Sequence, residues 1–456
     1  MASGQHVSRD ERIVKTNPKG LRKSKQPTIL LRSKRCASKP PYDFGNYAAE
    51  FRRRAKGRWK DAVCFAAGIG PPPSRPHQVE IHPRQAGCPA CTNDCIDCCG
   101  RFLRTEHGLP AETLLQLYRD LMDMGIASVV LSGTHTDPDC LEAALLERLI
   151  RMGGPAWGIK LYTFGLRLDR RVQSAIVEAA QADPRHDSYV TFSKPTTDPQ
   201  VMQHMCRPRA LKMSSREVLR LQEQSLSSFF ALAAAGGFPL SVLVNCRLTR
   251  FNAHPASLAE LLRWFADETP VPVRLRITTD YLPTLAPRWY RRQFFDRIYL
   301  PPRDARRALD EALDAAGLSA CHRERISFRA VPAVPYHDVA ECFNALVFAA
   351  VSPDGLVYPC QGMAGAPFAH LAYGDLKRNR FPEIWAGFIR TVRAGRFNPI
   401  AAGCPHCAAD CERQICLAMA AEAKAISEEP CTLTGTLDGP AAEPAWPVMA
   451  AQWIGT

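Results

Sequence analysis

The chain has 456 residues, 46% of them hydrophobic, with 58 Lys and Arg against 45 Asp and Glu, a formal charge of +13. That length accommodates two or three domains of roughly 100–200 residues each, with room for a large core. No apolar run reaches the roughly 18 residues that span a bilayer. The N-terminus, MASGQHVSRDERIVK, has no apolar core that could serve as a signal peptide. A cytoplasmic protein without a membrane segment is expected. In that compartment 18 cysteines point away from a disulfide framework and toward metal binding or redox work.

In chain order, residues 1–75 form a basic extension (KGLRKSK, LRSKR, FRRRAKGRWK) that ends in the breaker GPPPSRP. A solvated, partly disordered arm and a docking site for an acidic peptide or protein are both open. Nucleic-acid binding is disfavoured, because no stacking aromatics or zinc-finger helix follow. From residue 76, short apolar strands alternate with amphipathic helices. HQVEIHP opens the series. PAETLLQLYRDLMDMG then precedes ASVVLSG, ALLERLIRMGG precedes GIKLYTFG, and VQSAIVEAAQ precedes SYVTFS. REVLRLQEQSLSSFFALAAAGG precedes LSVLVNC, and SLAELLRWFADE precedes VRLRITTDY. The expected fold class is α/β, with six parallel strands near 77, 127, 158, 188, 241 and 272 curled into a partial (β/α)6 barrel over 76–300. Residues 301–435 read as a small cysteine-rich α+β domain, and 436–456 as a loose tail.

Cys88-Pro-Ala-Cys91-Thr-Asn-Asp-Cys95-Ile-Asp-Cys98-Cys99 follows the first strand, at the end of a parallel barrel where catalytic residues collect. Thiolates are soft ligands that suit iron–sulfur clusters or zinc. Cys91, Cys95 and Cys98 can supply three thiolates to a 4Fe–4S cube and leave one iron open. Cys88, Cys91, Cys95 and Cys98 could instead close a zinc shell.

The C-x3-C-x2-C segment resembles the motif of radical S-adenosylmethionine (SAM) enzymes in spacing and in position. The resemblance implies that SAM chelates the open iron of the Cys91, Cys95 and Cys98 cluster and is reductively split to a 5′-deoxyadenosyl radical, which takes a substrate hydrogen. Later strand ends add to it. Ser132-Gly133-Thr134-His135-Thr136-Asp137-Pro138 resembles the family's SAM-binding Gly-Gly-Glu-Pro turn, with Asp137, Thr134 or His135 left to take the glutamate's part. Thr163-Phe164-Gly165 resembles Thr-Asn-Gly. Ser193 and Arg207 stand where relatives contact SAM, the arginine against its carboxylate. Asp97 stands where many relatives carry an aromatic residue.

The second cysteine group spans Cys342 to Cys431, with FNALVFAAVSPDGLVYP between its first two members reading as a β-hairpin. With TyrGlyAspLeuLys and PheProGluIleTrp it resembles the SPASM extension of radical SAM enzymes. The resemblance implies an inner auxiliary cluster on Cys342, Cys360 and Cys416. It implies an outer one on Cys404, Cys407, Cys411 and Cys431. A zinc ribbon from Cys404, Cys407, Cys411 and Cys416 is the bland alternative.

The resemblance implies an oxidoreductase with SAM, one SAM-binding cluster, one or two auxiliary clusters and an external electron donor such as a flavodoxin or ferredoxin. The leading expectation is oxidation or crosslinking of a ribosomally made precursor peptide. The alternatives are dehydrogenation or epimerisation of a small molecule, such as a sugar or amino-acid derivative, and a non-catalytic zinc-stabilised nucleic-acid binder. Cys140, Asp280 and Tyr281 lie near strand ends without an assigned role.

Overall fold

The computed structural model describes residues 73–86, 91, 95–98, 100–102, 107–133, 136–183, 186–206, 213–280, 286–330 and 347–393. The six expected strands are all present: β1 Gln78–Ile81, β2 Ser128–Leu131, β3 Lys160–Thr163, β4 Tyr189–Ser193, β5 Ser241–Leu248 and β6 Arg274–Thr279. The five expected helices connect them: α1 Ala111–Asp123, α2 Ala143–Trp157, α3 Arg170–Gln181, α5 Ser215–Ala235 and α6 Pro255–Glu268. The short α4, Pro199–Met205, precedes α5. Strands pair in parallel in sequence order from β1 to β6.

Local chemistry sets the helix starts. Ser214 and Glu217 close a reciprocal capping box on α5. Asp169 Oδ1 accepts the Val172 N–H at 2.9 Å to start α3.

The sheet is wider than six strands. β7 Ile326–Arg329 adds in parallel beside β6, and β8 Phe348–Val351 adds in parallel beside β1. The expected hairpin is present: β8 turns back into β9 Leu356–Tyr358, which pairs with β10 Gly374–Asp375. The full order is β10-β9-β8-β1-β2-β3-β4-β5-β6-β7. Among the described residues, strands from beyond residue 300 therefore extend the barrel sheet at both edges. Between β6 and β7 lie α7 Arg288–Gln293, α8 Pro302–Ala316 and α9 Ala320–Glu324.

Alternation along the strands separates two faces. Val79, Ile81, Val129, Leu131, Leu161, Val190, Val242, Val244, Leu275 and Ile277 join the helices in the main core. The other face carries Glu80, His82, Tyr162, Tyr189, Thr191, Asn245, Arg247 and Arg276, and it lines the lumen of the partial barrel.

The last described helix, α10 Phe381–Arg393, is fixed to the barrel through α1. Asp120, 1% exposed, accepts from Arg380 Nε at 2.9 Å and from the Phe381 N–H at 3.1 Å. Trp385 Nε1 donates to Pro73 O at 3.3 Å. One buried carboxylate thus compensates both the orphan amide of a helix start and a guanidinium. Asp120→Ala should cost about 1–3 kcal/mol of stability, because it removes a charged acceptor from Arg380, the Phe381 N–H and Gln116 Nε2. Chemical denaturation followed by far-UV circular dichroism checks this, and an unchanged midpoint would show that α10 docks by apolar packing alone.

Candidate active site

The loop after β1 carries Cys91, Cys95 and Cys98, all half-buried. Its backbone is held by side chains from three places. Arg101 Nη1 donates to Cys95 O at 3.3 Å, the Tyr290 hydroxyl donates to Ile96 O, and Arg247 Nη1 donates to Asp97 O at 2.6 Å. Three successive carbonyls between two expected cluster ligands therefore each have a donor. Arg247, at the end of β5, is also 3.6 Å from Asp97 Oδ2 and 3.4 Å from Asp280 Oδ1. Asp280 is fully buried just past β6.

Two of the three thiols lie beside further cysteines. Cys95 Sγ lies 3.7 Å from Cys206 Sγ, in an isolated antiparallel bridge between the two residues. That hydrogen bond, burial and the nearby Cys206, Asp97 and Cys98 push the Cys95 thiol well up. Cys91 is hydrogen-bonded with Cys140, and this contact, followed by burial, raises the Cys140 thiol. Among the described residues no three His, Cys, Asp or Glu side chains converge on one metal position. By donor chemistry the loop fits an iron–sulfur cluster. It presents three thiols in a short span, and the carbonyls of Cys95, Ile96 and Asp97 already have donors, so the thiols are the soft ligands it offers.

The strand ends bring two of the sequence-expected SAM contacts together. Asp137 Oδ1 accepts from Thr163 Oγ1 at 2.5 Å, and Oδ2 accepts the Phe164 N–H at 2.6 Å. Burial, then the neighbouring charge of Asp139, push the Asp137 carboxyl well up, against these donated bonds. Ser132 is buried at the end of β2. A Cβ on Gly133 would sit 2.9 Å from Tyr162 O, so only glycine lets these two strand ends approach so closely. Gly165, at φ +75°, turns the chain beside Phe192. Ser193 is exposed at the end of β4. Its carbonyl and that of Phe164 both accept from Gln222 Nε2, each at 2.7 Å.

Sequence reasoning missed Gln222, Cys206, Arg247 and Tyr290. Gln222 and Tyr290 come from helices, where nothing in spacing marks a side chain as reaching a strand end. Thr134 and Arg207 lie outside the described residues, as do Cys342, Cys404, Cys407, Cys411, Cys416, Cys431, His135 and Tyr281.

Cys360 is described, half-buried just after β9, where its sulfur accepts the Gly362 N–H at 3.4 Å. β9 runs antiparallel to β8, with Tyr358 opposite Ala350 and Ala350 opposite Glu80. Cys360 therefore lies toward the strand ends opposite the Cys91–Cys98 loop, with the lumen between. The neighbouring Gln361, with its amide nitrogen toward β1, donates to Glu80 Oε1 at 2.7 Å.

Residues 342–412 match SPASM, an iron–sulfur cluster-binding domain. The matched stretch contains Cys342, Cys360, Cys404, Cys407 and Cys411, and it ends before Cys416 and Cys431. It bears out that half of the family resemblance read from the sequence, and the parallel sheet bears out the expected α/β fold. No curated protein matches the sequence.

Among solved structures, native anSMEcpe with bound AdoMet is similar at 13% identity and a TM-score of 0.47, over 77% of this chain and 96% of that one. A radical SAM methyltransferase from Sphaerobacter thermophilus is 13% identical, with a TM-score of 0.34 over 54% and 66%. The FeFe-hydrogenase maturase HydG from Carboxydothermus hydrogenoformans is 12% identical, with a TM-score of 0.32 over 74% and 82%. None reaches a TM-score of 0.5. No helix among the described residues is long and apolar enough to cross a membrane.

Glu80 supplies a test of the lumen's electrostatics. Burial, against a hydrogen bond with Ser132, raises its carboxyl from 4.5 to about 7. His82 Nε2 lies 3.7 Å from Glu80 Oε1, and Tyr162 and Gln361 also face it. A raised carboxyl favours the folded state fully below about 4.5, and the contribution is lost as pH rises through about 7. Glu80→Gln keeps the neutral form at every pH. It should leave the thermal midpoint nearly unchanged at pH 5 and raise it at pH 8, by up to about 3 kcal/mol of stability for a shift of this size. Parallel melting curves at the two pH values check this.

Proposed function

We propose that the chain is a radical SAM enzyme that oxidises or crosslinks a precursor peptide. The observation that carries the chemistry is the placement of Cys91, Cys95 and Cys98 at the C-terminal mouth of a parallel β/α sheet that continues into a SPASM iron–sulfur domain. Two iron–sulfur regions in one chain fit a net oxidation, and the basic extension fits an acidic leader segment. The SPASM match also favours iron–sulfur over zinc for the C-terminal cysteines.

Cys91, Cys95 and Cys98 would hold the SAM cluster. Cys342, Cys360 and Cys416 would hold an inner auxiliary cluster, and Cys404, Cys407, Cys411 and Cys431 an outer one. When bound, these groups supply reductive cleavage of SAM to a hydrogen-abstracting radical and transfer of single electrons. An external flavodoxin or ferredoxin is the proposed electron source.

The protein's own part is position. Arg101, Tyr290 and Arg247 fix the carbonyls of the cysteine loop. Asp137 locks the second strand end onto the third through Thr163. Gln222 ties the third strand end to the fourth, so Gly133, Thr163 and Ser193 are presented on one rim. With Thr134 and Arg207 they form the proposed SAM contacts.

Anaerobically reconstituted protein should contain iron and sulfide, and with dithionite and SAM it should release 5′-deoxyadenosine. Cys95→Ala should abolish that release, and full turnover in this variant would sink the assignment. Cys404→Ala should keep most of the 5′-deoxyadenosine but lose product formation on a genomically adjacent peptide. Equal loss of both would mean that the outer cysteines serve folding rather than the substrate. Turnover on a small sugar or amino acid in place of the peptide would favour the tailoring alternative.

A further inference from the structure

α7 runs on into a π turn, Phe294–Ile298. Among the described residues only two large apolar side chains are exposed, and both are on this segment: Trp289 at 64% and Phe295 at 40%. Apolar residues scattered singly over a surface are ordinary, whereas rings gathered on one short segment mark a surface made for contact.

The inner side of the segment packs on the cysteine loop. Tyr290, Phe294 and Ile298 are buried in a small cluster that includes Ile96 and Phe102. Trp289 meets Phe102 edge to face at 6.4 Å and Tyr290 at 5.7 Å. Phe295 meets Phe294 at 5.2 Å and Tyr299 at 5.8 Å. The exposed rings are therefore the outer members of an aromatic stack. Its inner member, Tyr290, donates its hydroxyl to Ile96 O, between Cys95 and Cys98.

The charge around the rings has one sign. Trp289, Arg292 and Phe295 recur at a spacing of three, which puts them on one helix face. Arg292 and Arg297 are exposed, and neither joins an ion pair among the described residues. Exposed Arg250 is tied to the end of the segment, its Nε donating to Tyr299 O at 2.8 Å. Asp296 is the one carboxylate in Arg288–Ile298. Tryptophan and arginine are the residue types that most often anchor a protein interface. A positive rim draws an acidic partner and speeds its encounter.

Position selects among acidic partners. Electron transfer weakens steeply with distance, and this surface is one aromatic layer from the cysteine loop. A leader peptide needs no such nearness, and a second copy of this chain would bring the same arginines against these. We propose that the aromatic and arginine surface of α7 and its π turn is the landing site of a small acidic one-electron carrier protein, of the flavodoxin or ferredoxin kind. Tyr290 then stands between the carrier and the loop. The carrier is oxidised by one electron, the iron–sulfur centre held by Cys91, Cys95 and Cys98 is reduced by one, and no bond is made or broken. The inference rests on the radical SAM reading for why the loop needs electrons.

The test uses anaerobically reconstituted full-length protein, with a flavodoxin and a ferredoxin as probes. Binding to each immobilised carrier is followed by biolayer interferometry. Reduction by the flavodoxin hydroquinone is followed by bleaching of the iron–sulfur absorbance, without SAM. Trp289→Ser, and Arg292→Glu with Arg297→Glu, should each weaken binding about tenfold or more, the loss of one interface anchor. Both should slow bleaching by the carrier and leave bleaching by dithionite at the wild-type rate. Added KCl should slow association of the wild-type protein and have less effect on the double arginine variant. No binding to either carrier, or wild-type binding and bleaching in both variants, overturns the proposal. Equal loss with dithionite also overturns it, because the surface then serves the loop's structure. A Glu-rich peptide that binds here in place of both carriers would assign the surface to a leader, and a dimer broken by Trp289→Ser would assign it to a second copy. Should Trp289→Ser not fold, the exposed arginine pair decides. Release of 5′-deoxyadenosine with dithionite and SAM is scored separately. Release with surface-independent reduction sinks only this inference, and surface-dependent reduction without release sinks only the radical SAM reading.

Discussion

A parallel sheet bent toward a barrel has to satisfy two solvents at once. Its outer face must be dry, because helices cover it, and here Val, Ile and Leu at alternate positions meet that demand. Its inner face is also largely buried, at Glu80, His82, Tyr189 and Thr191, so the polar groups placed there must compensate one another. Arginines, tyrosines and a raised glutamate occupy it. The rest of the molecule can be understood as the means of keeping that face closed and aimed: helices outside, a cysteine loop at one end, and a cysteine-bearing hairpin at the other.

Holding the cysteine loop is a separate problem. A loop between a strand and a helix has no regular partner for its amides and carbonyls, yet buried main-chain groups need partners. Arg101, Tyr290 and Arg247 meet the need for Cys95, Ile96 and Asp97 in turn. The donors come from the loop itself, from α7 and from the end of β5. The loop is thereby referenced to the barrel wall rather than to its own residues. The Asp97 carboxylate also lies 3.6 Å from Arg247, so an ion pair adds to the tie between the loop and the barrel wall.

Much of the fold was legible because alternation of short apolar strands and amphipathic helices is a pattern of long range. The six strands fall within about two residues of their expected places. The two extra parallel strands were less visible. β7, ISFR, is four residues long and half polar. β8 was read correctly as half of a hairpin, but nothing local announces that its free edge pairs with β1, 270 positions earlier in register. The lumen was missed for a related reason. RLRITT in β6 alternates arginine with leucine and isoleucine. That alternation marks one polar face, whereas a short strand in a parallel sheet is expected to be apolar on both. The site residues divide in the same way. Asp137 and Thr163 stood out in strand-end motifs and do meet, whereas Gln222 and Tyr290 reach the site from helices and became visible only through their hydrogen bonds.

The two cysteine regions gain their meaning from this geometry. β9 runs down the flank of the sheet while β1 runs up, so Cys360 and the Cys91–Cys98 loop approach the lumen from opposite ends. Gln361, next to Cys360, contacts Glu80, and Arg247, bonded to Asp97, stands one layer above Arg276. Each cysteine region is thus one residue removed from a lumen side chain.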